Sequence, residues 1–241
     1  MTLPQRIKKS LIRKLLPIPF ESRHAEYSAI SCADDADSQA SDRLFNIALQ
    51  SIEAAKKISL DSLAGRRDCN PELLNLWPGE HYRLLAGITR VLQPKCVVEI
   101  GTASGISALA MKQTLPKGAR IVTFDIIPWA LAPEISLEKK DFEDGSLLQY
   151  TDDLTQPEDF AKHQELLAQA DLIFLDAAKD GVMEQRFLDL MGTLTPKTQP
   201  LLVLDDIRVW NMLRIWKDIR RPKLDLSSFG HWTGTGLVDW S

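Results

Sequence analysis

The sequence lacks a long apolar run, has few cysteines and carries no excess of basic charge. No uninterrupted hydrophobic stretch in the 241 residues approaches the ~20 that a membrane-spanning helix needs. The three cysteines, Cys32, Cys69 and Cys96, form no CxxC pair, and their odd number and wide spacing are typical of a reducing compartment. The net charge of −4 argues against nucleic acid as the main partner, because phosphate binding favours a basic field. We therefore expect a cytoplasmic protein.

The N-terminal region differs in composition from the rest of the chain. Residues 1–20 contain five basic residues and no acidic one. An apolar residue recurs there every four positions, which predicts an amphipathic helix over 3–16: Leu3, Ile7, Leu11 and Leu15. Residues 17–41 have the proline, serine and aspartate content of a linker. The predicted organisation is a basic helix and linker over 1–41, followed by one domain over 42–241.

Apolar strands alternate with amphipathic helices through most of the chain. The predicted strands are Cys96–Ile100, Arg120–Asp125, Leu147–Tyr150, Asp171–Asp176 and Leu201–Asp205. Helices are expected to begin near Ser41 or Asp42 and near Glu80, and Leu224–Ser227 with Gly234–Trp240 predicts a hairpin at the sheet edge. This pattern indicates an α/β fold with a doubly wound, mostly parallel seven-stranded sheet covered on both faces.

The first strand runs into a turn of small residues, Glu99-Ile-Gly-Thr-Ala-Ser-Gly105. A strand, such a turn and a helix are typical of a nucleotide-binding site, although a tight turn without a ligand has the same pattern. The dinucleotide motif requires glycines at 101, 103 and 106, where this chain has Gly101, Ala103 and Ile106. Glu99 suits a cationic ligand better than a diphosphate. S-adenosylmethionine, which carries an ammonium and a sulfonium, meets that requirement.

Acids follow the next two strands. Asp125 ends the second strand, where a carboxylate can accept hydrogen bonds from both hydroxyls of a ribose. Asp152 and Asp153 follow the third strand, and either could bind an adenine amino group or be merely solvated. We favour Asp153 for the adenine contact.

The fourth and fifth strands end in a further group of acids, Asp176, Asp205 and Asp206. Neighbouring parallel strands bring their carboxyl ends to one edge of a sheet, so these carboxylates should lie close together. They repel one another unless something neutralises them. A divalent cation would do so. Alternatively, Lys179 pairs with one of the acids and the others face water.

Four motifs, taken in their order along the chain, resemble those of the class I S-adenosylmethionine-dependent methyltransferases. They are the segment from Glu99 to Ser107, then Asp125, then the segment from Asp176 to Lys179, and finally Asp205-Asp206. The closest likeness is to the small cation-dependent O-methyltransferases of the catechol and caffeoyl-CoA type, over roughly residues 75–210. The resemblance implies a Rossmann-like methyltransferase fold. It also implies a cosubstrate-binding set: Glu99, Gly101, Thr102, Ala103, Ser104, Gly105, Ser107, Asp125, Asp153 and Asp176.

The resemblance further implies a catalytic centre. Asp176, Asp205 and Asp206 would bind the cation, most simply Mg²⁺, which lowers the pKa of the acceptor hydroxyl. Lys179 would be the general base. The chain departs from the family at Asp206, where asparagine is usual, and at the small pair Ala177 and Ala178. A carboxylate at this position keeps an oxygen ligand for the metal and adds a negative charge.

The implied function is transfer of a methyl group from S-adenosylmethionine to a hydroxyl of a phenol, a sugar or a natural product. A metal-independent methyltransferase and a non-catalytic, partner-binding relative are the alternatives, and an NAD-dependent oxidoreductase is disfavoured by Ala103 and Ile106. The termini match the family poorly, so the acceptor is not inherited. A homodimer, or contact of residues 1–16 with a membrane surface or a partner subunit, is compatible with the sequence.

Three aromatic side chains outside these motifs have two interpretations each. Trp210 and Trp232 could line the acceptor pocket, but we expect them to pack in the core or on an edge strand. His81 could face the cosubstrate, but we expect it to lie on the surface.

Overall fold

The computed structural model describes residues 38–74, 81–230 and 233–241. Its strands are β1 Cys96–Ile100, β2 Arg120–Phe124, β3 Leu147–Tyr150, β4 Leu172–Leu175, β5 Leu201–Asp205, β6 Lys223–Asp225 and β7 Thr235–Asp239. Within the described residues they form one sheet in the order β3-β2-β1-β4-β5-β7-β6. Strands β1 to β5 are parallel, whereas β7 is antiparallel to both β5 and β6. The predicted seven-stranded, mostly parallel sheet is confirmed.

Helices connect the parallel strands and flank the sheet. They are α1 Asp42–Ala55, α2 Tyr82–Leu92, α3 Ile106–Lys112, α4 Pro157–Lys162, α5 Gln164–Ala168, α6 Met183–Met191 and α7 Met212–Asp218. Short 3₁₀ turns lie at Asp61–Leu63, Pro71–Leu74, Trp129–Leu131 and Lys139–Phe142. Helix α1 begins where the sequence predicts, because the Ser41 hydroxyl accepts a hydrogen bond from the Leu44 N–H at 3.3 Å.

The two faces of the sheet are buried in separate hydrophobic clusters, because successive side chains of a strand point to opposite faces. Val97 of β1 packs on one face with residues of α1, α2 and α3, such as Leu84. Its neighbour Val98 packs on the other face with residues of α6 and α7, such as Phe187. The sheet is therefore doubly wound, as the alternation of apolar strands and helices predicts.

Strand β7 pairs with β5 along its whole length, and β6 lies beyond β7 at the edge of the sheet. In the register of β5 and β7, Asp205 lies opposite Thr235, so the last residue of β5 is held by strand pairing. The predicted hairpin is confirmed, with shorter strands than expected. The basic helix predicted over 3–16 lies outside the described residues, and within them no helix is both long enough and apolar enough to cross a bilayer.

Candidate active site

A cavity of about 380 Å³ opens at the carboxyl edge of the sheet, the place where ligands bind in open parallel sheets. Five residues of the predicted cosubstrate-binding set line it: Gly101, Ala103, Asp125, Asp153 and Asp176. The other five do not line it: Glu99, Thr102, Ser104, Gly105 and Ser107. Only some residues of the turn between β1 and α3 therefore line the cavity.

Both glycines of that turn are required by the packing of the chain itself. Gly101 has φ +98°, and a side chain there would meet the carbonyl oxygen of Asp176 at 1.7 Å. Gly105 has φ +81°, and a side chain there would meet Leu137 at 2.2 Å. A left-handed backbone and close contacts both demand glycine. The glycines alone are thus no evidence for a ligand.

Asp125 holds the turn in place. One carboxylate oxygen, Oδ2, accepts hydrogen bonds from the backbone N–H groups of Thr102 and Ala103 at 3.1 and 3.0 Å. The other oxygen, Oδ1, accepts from the N–H of Ile127 at 2.9 Å. A carboxylate has about four acceptor positions, so Asp125 retains one for a ligand in the cavity.

Glu99 lies beneath the turn and is fully buried. Its Oε1 accepts a hydrogen bond from the Ser107 hydroxyl at 2.5 Å, while Oε2 has no hydrogen-bond partner among the described residues. Burial raises the pKa of the Glu99 carboxyl to about 7, although the hydrogen bond from the Ser107 hydroxyl opposes this rise. A buried carboxylate with an unpaired oxygen is costly unless a cation or a proton meets it.

The two acids after β3 have local partners. Asp153 accepts hydrogen bonds from the Thr155 N–H and hydroxyl at 2.9 and 2.7 Å and from the Gln156 amide at 3.1 Å. Asp152 pairs with His163 at 2.9 Å and Lys162 at 3.2 Å. Both acids also line the cavity.

The acids after β4 and β5 meet around one lysine. The Lys179 ammonium contacts an oxygen of Asp176, lies 3.1 Å from Asp205 Oδ2 and lies 2.9 Å from Asp206 Oδ2. Asp206 reaches this position because the chain turns after β5, where Asp206 has φ +56°. The close approach of the three carboxylates expected from the sequence is therefore observed, with Lys179 at its centre.

This arrangement does not fit the divalent cation that the resemblance implies. The Lys179 ammonium takes the position from which all three carboxylates could reach one ion. Within the part of the chain that the structure describes, no group of three or more His, Cys, Asp or Glu side chains is placed to hold a metal. We therefore assign no step of the chemistry to a metal.

The charge of Lys179 also bears on its expected role as a general base. Burial alone would lower the pKa of the Lys179 ammonium, but Asp176 and Asp205 outweigh burial and raise it. An ammonium with a raised pKa keeps its proton at neutral pH. The arrangement thus favours a permanently charged Lys179 over a base.

Two side chains near this group differ from the sequence-based expectation. His81 was expected on the surface but is 6% exposed, with its ring centroid 5.9 Å from that of Phe174 and Nδ1 3.4 Å from Asp205 Oδ1. A single histidine just before a helix carries no periodic signal of burial. Trp210 was expected to pack but is 76% exposed, while Trp232 lies outside the described residues.

Sequence reasoning also missed Glu184, a fully buried acid in the first turn of α6. A signal for it was present. Glu184 lies three, four and seven positions before Phe187, Leu188 and Met191, which are the other buried residues of that helix. An acid on the apolar face of an amphipathic helix requires a specific partner.

Comparison with solved structures found matches at low sequence identity. A methyltransferase from Podospora anserina, PaMTH1, bound to SAH is 20% identical, covering 81% of this chain and 88% of its own, with a TM-score of 0.48. A methyltransferase from Geobacter sulfurreducens is 18% identical, covering 66% and 78%, with a TM-score of 0.46. An O-methyltransferase from Bacillus cereus in complex with SAH is 17% identical, covering 78% and 90%, with a TM-score of 0.45.

Comparison with curated proteins found no match. The model of one protein family, described as O-methyltransferase, matches residues 76–215, which is more than half of the chain. That range contains the turn after β1, Asp125, Lys179 and the acids around it. The chain therefore belongs to the O-methyltransferase family and is a class I S-adenosylmethionine-dependent methyltransferase of the small O-methyltransferase type.

Proposed function

We propose that this enzyme methylates a hydroxyl of a small phenolic molecule, and that the Lys179 ammonium supplies the positive charge expected of a divalent cation. The observation that carries the proposal is the contact of that ammonium with Asp176, Asp205 and Asp206. A fixed charge of this kind stabilises an oxyanion as it forms, without reorganisation during the reaction.

Three features of the chain suit the cosubstrate. Glu99 does not line the cavity, so its unpaired Oε2 would attract the amino group of the methionine part from beneath the turn, without direct contact. The remaining acceptor position of Asp125 would bind a ribose hydroxyl. Apolar residues on the cavity wall, among them Phe124, Leu154 and Met183, would contact the adenine ring. When bound, S-adenosylmethionine supplies an electrophilic methyl group.

We assign to Asp176 the removal of the proton from the acceptor hydroxyl. It lines the cavity, and it contacts the Lys179 ammonium. Burial raises the pKa of the Asp176 carboxyl, and the neighbouring Asp205 carboxylate raises it further. A carboxylate with a raised pKa is a better proton acceptor at neutral pH. Asp176 thus takes the proton, while Lys179 stabilises the oxygen that loses it.

Exposed apolar side chains support an aromatic acceptor. Ile126 follows β2 and is 72% exposed, Val182 follows β4 and is 50% exposed, and Trp210 follows β5. All three therefore lie at the carboxyl edge of the sheet, where the cavity opens. Apolar and aromatic surface at a pocket mouth favours an aromatic ring over a sugar.

The test is a turnover screen of the full chain with S-adenosylmethionine and a panel of phenols, catechols and sugars, with product followed as S-adenosylhomocysteine. We expect turnover of a phenol that persists in excess chelator. Lys179→Met should lower kcat by ~10²–10³-fold, the range for a lost electrostatic group. Lys197→Met is the matched control, since Lys197 is exposed and pairs only on the surface with Glu165.

Two results would overturn the metal-independent mechanism. One is turnover that chelator abolishes and Mg²⁺ restores. The other is a Lys179→Met variant that keeps its kcat. Turnover of sugars in place of phenols would leave the mechanism intact but contradict the assignment of the acceptor.

A further inference from the structure

Glu184 makes two hydrogen bonds to the loop that carries Lys179. Its Oε1 accepts from the backbone N–H of Lys179 at 2.6 Å, and its Oε2 accepts from the N–H of Gly181 at 2.8 Å. The side chain is 0% exposed. Both oxygens of a buried acid are thus used on the backbone between β4 and α6.

The loop has an uncommon conformation at both positions. Lys179 has φ +60° and Gly181 has φ +74°, in the left-handed region that non-glycine residues seldom adopt. Gly181 also packs closely against the residue before α7, since a side chain on it would meet Asn211 Cβ at 2.6 Å. The backbone of Lys179 therefore needs specific support to stay in this conformation.

Glu184 provides that support for an electrostatic reason. A buried carboxylate is costly unless its oxygens accept hydrogen bonds. In this fold the two N–H groups at 179 and 181 satisfy one oxygen each. The loop and the acid thus stabilise each other, and a loop path that moved these two N–H groups away would cost Glu184 both hydrogen bonds.

We propose that Glu184 is a positioning residue for methyl transfer: by holding the backbone of Lys179, it places the ammonium among Asp176, Asp205 and Asp206. This inference rests on the proposed role of Lys179. It adds a residue that touches neither cosubstrate nor acceptor and that acts only through Lys179.

Asp180 in the same loop offers a contrast. Its Oδ1 accepts from the N–H groups of Val182 and Met183 at 2.8 and 2.9 Å, which forms an ordinary Asx turn before α6. The side chain is exposed, and neither bond involves the backbone of Lys179. Asp180→Asn is therefore the control for a change in the loop that leaves Lys179 in place.

The experiment compares kcat, both KM values and thermal unfolding of the full-length wild type, Glu184→Gln and Asp180→Asn. The glutamine amide can accept at one oxygen only, and its nitrogen opposes an N–H. We expect Glu184→Gln to lower kcat at least tenfold while the KM for S-adenosylmethionine stays within twofold of the wild-type value. Asp180→Asn should keep kcat and both KM values within twofold of the wild type. An unchanged kcat in Glu184→Gln would overturn the proposal.

A double-mutant cycle separates positioning from a general loss of structure. If Glu184 acts through Lys179, adding Glu184→Gln to Lys179→Met should lower kcat no further. Losses that multiply would show a separate role and overturn the proposal, while leaving the proposed function intact. A wild type without any transfer activity would instead overturn the proposed function.

Hydrogen exchange keeps the proposal testable where Glu184→Gln does not fold. In the wild type, the amides of Lys179 and Gly181 should be protected far more strongly than those of exposed loops. Rapid exchange of both amides would show that Glu184 does not hold the loop in solution, and would overturn the proposal without any variant.

Discussion

Gly101 packs so closely on Asp176 that a methyl group added to it would lie 1.7 Å from the Asp176 carbonyl oxygen. The turn after β1 and the end of β4 are therefore in direct backbone contact. One side of this contact faces the predicted cosubstrate site, and the other carries the first acid of the group around Lys179. A change at either side is transmitted to the other.

Gly101→Ala should consequently destabilise the fold and impair both cosubstrate binding and turnover. The matched control is Gly118→Ala, since Gly118 has φ +83° but no atom within 4 Å of the added methyl group. The control should lose only the ~1–2 kcal/mol of left-handed strain. Urea unfolding should show a loss for Gly101→Ala at least twice as large. Equal losses would show that the contact with Asp176 relaxes freely.

Asp125→Ala should weaken binding of S-adenosylhomocysteine by ~1–3 kcal/mol, the scale of hydrogen bonds to a charged group. Isothermal titration calorimetry measures this directly. Asp144→Ala is the control, because Asp144 is exposed and pairs with Lys112 and Ser146 before β3, away from the carboxyl edge. Unchanged affinity in Asp125→Ala would contradict the ribose assignment. Tight binding of NAD without binding of S-adenosylmethionine would contradict the cosubstrate itself.

Glu99→Gln should change how stability depends on pH. The pKa of the Glu99 carboxyl is about 7 in the folded chain against an ordinary value of 4.5, so the folded state holds a proton that the unfolded state releases. Glu99 therefore lowers stability as pH rises from about 4.5 to 7, by up to about 3 kcal/mol. Glutamine keeps the Ser107 contact without this loss.

Urea unfolding of wild type and Glu99→Gln across pH 4 to 8 tests this expectation. The variant should gain stability relative to the wild type as the pH rises through that range. Two parallel pH profiles would show that the carboxyl titrates at its ordinary value or stays charged in the fold.

Lys179→Met should destabilise the protein by about 3–5 kcal/mol at neutral pH, since removing one partner leaves buried charges uncompensated. Without Lys179, repulsion by the Asp205 carboxylate should raise the pKa of the Asp176 carboxyl further in the folded variant. The folded variant would bind more protons than the unfolded one. The loss of stability relative to the wild type should therefore become smaller as the pH falls from 7 to 5. Lys197→Met should cost at most about 1 kcal/mol. A deficit independent of pH would indicate that the three acids do not depend on Lys179 for their charge balance.

The fold and the gathering of the three acids at one edge of the sheet were predictable from the sequence, whereas the position of the Lys179 ammonium among all three was not. Strands β1 and β5 have the predicted bounds because each is a short apolar run whose burial follows from its composition. Strand β3 also has the predicted bounds, although only its first residue is buried. The position of the Lys179 ammonium depends instead on a backbone φ of +60°. No residue type at 179 signals that angle, and the acid that supports it comes five positions later.

The predicted turn after β1 likewise has features that the sequence specifies and features that it does not. Its place between a strand and a helix follows from the sequence, and so does its requirement for glycine. Which of its residues reach the cavity depends on how β4 and the loop around Leu137 pack on it. That packing brings together segments far apart in sequence, so spacing alone could not separate the residues that line the cavity from those that support it.

The insertion of β7 between β5 and β6 has a consequence during synthesis. Asp205 is held at the end of β5 partly by its pairing with Thr235, and β7 leaves the ribosome only after β5, α7 and β6. Until then, β5 presents an open edge, and the end that carries Asp205 has no neighbour on that side. A nascent chain that already contains every predicted site residue should therefore be catalytically silent until β7 has emerged and paired.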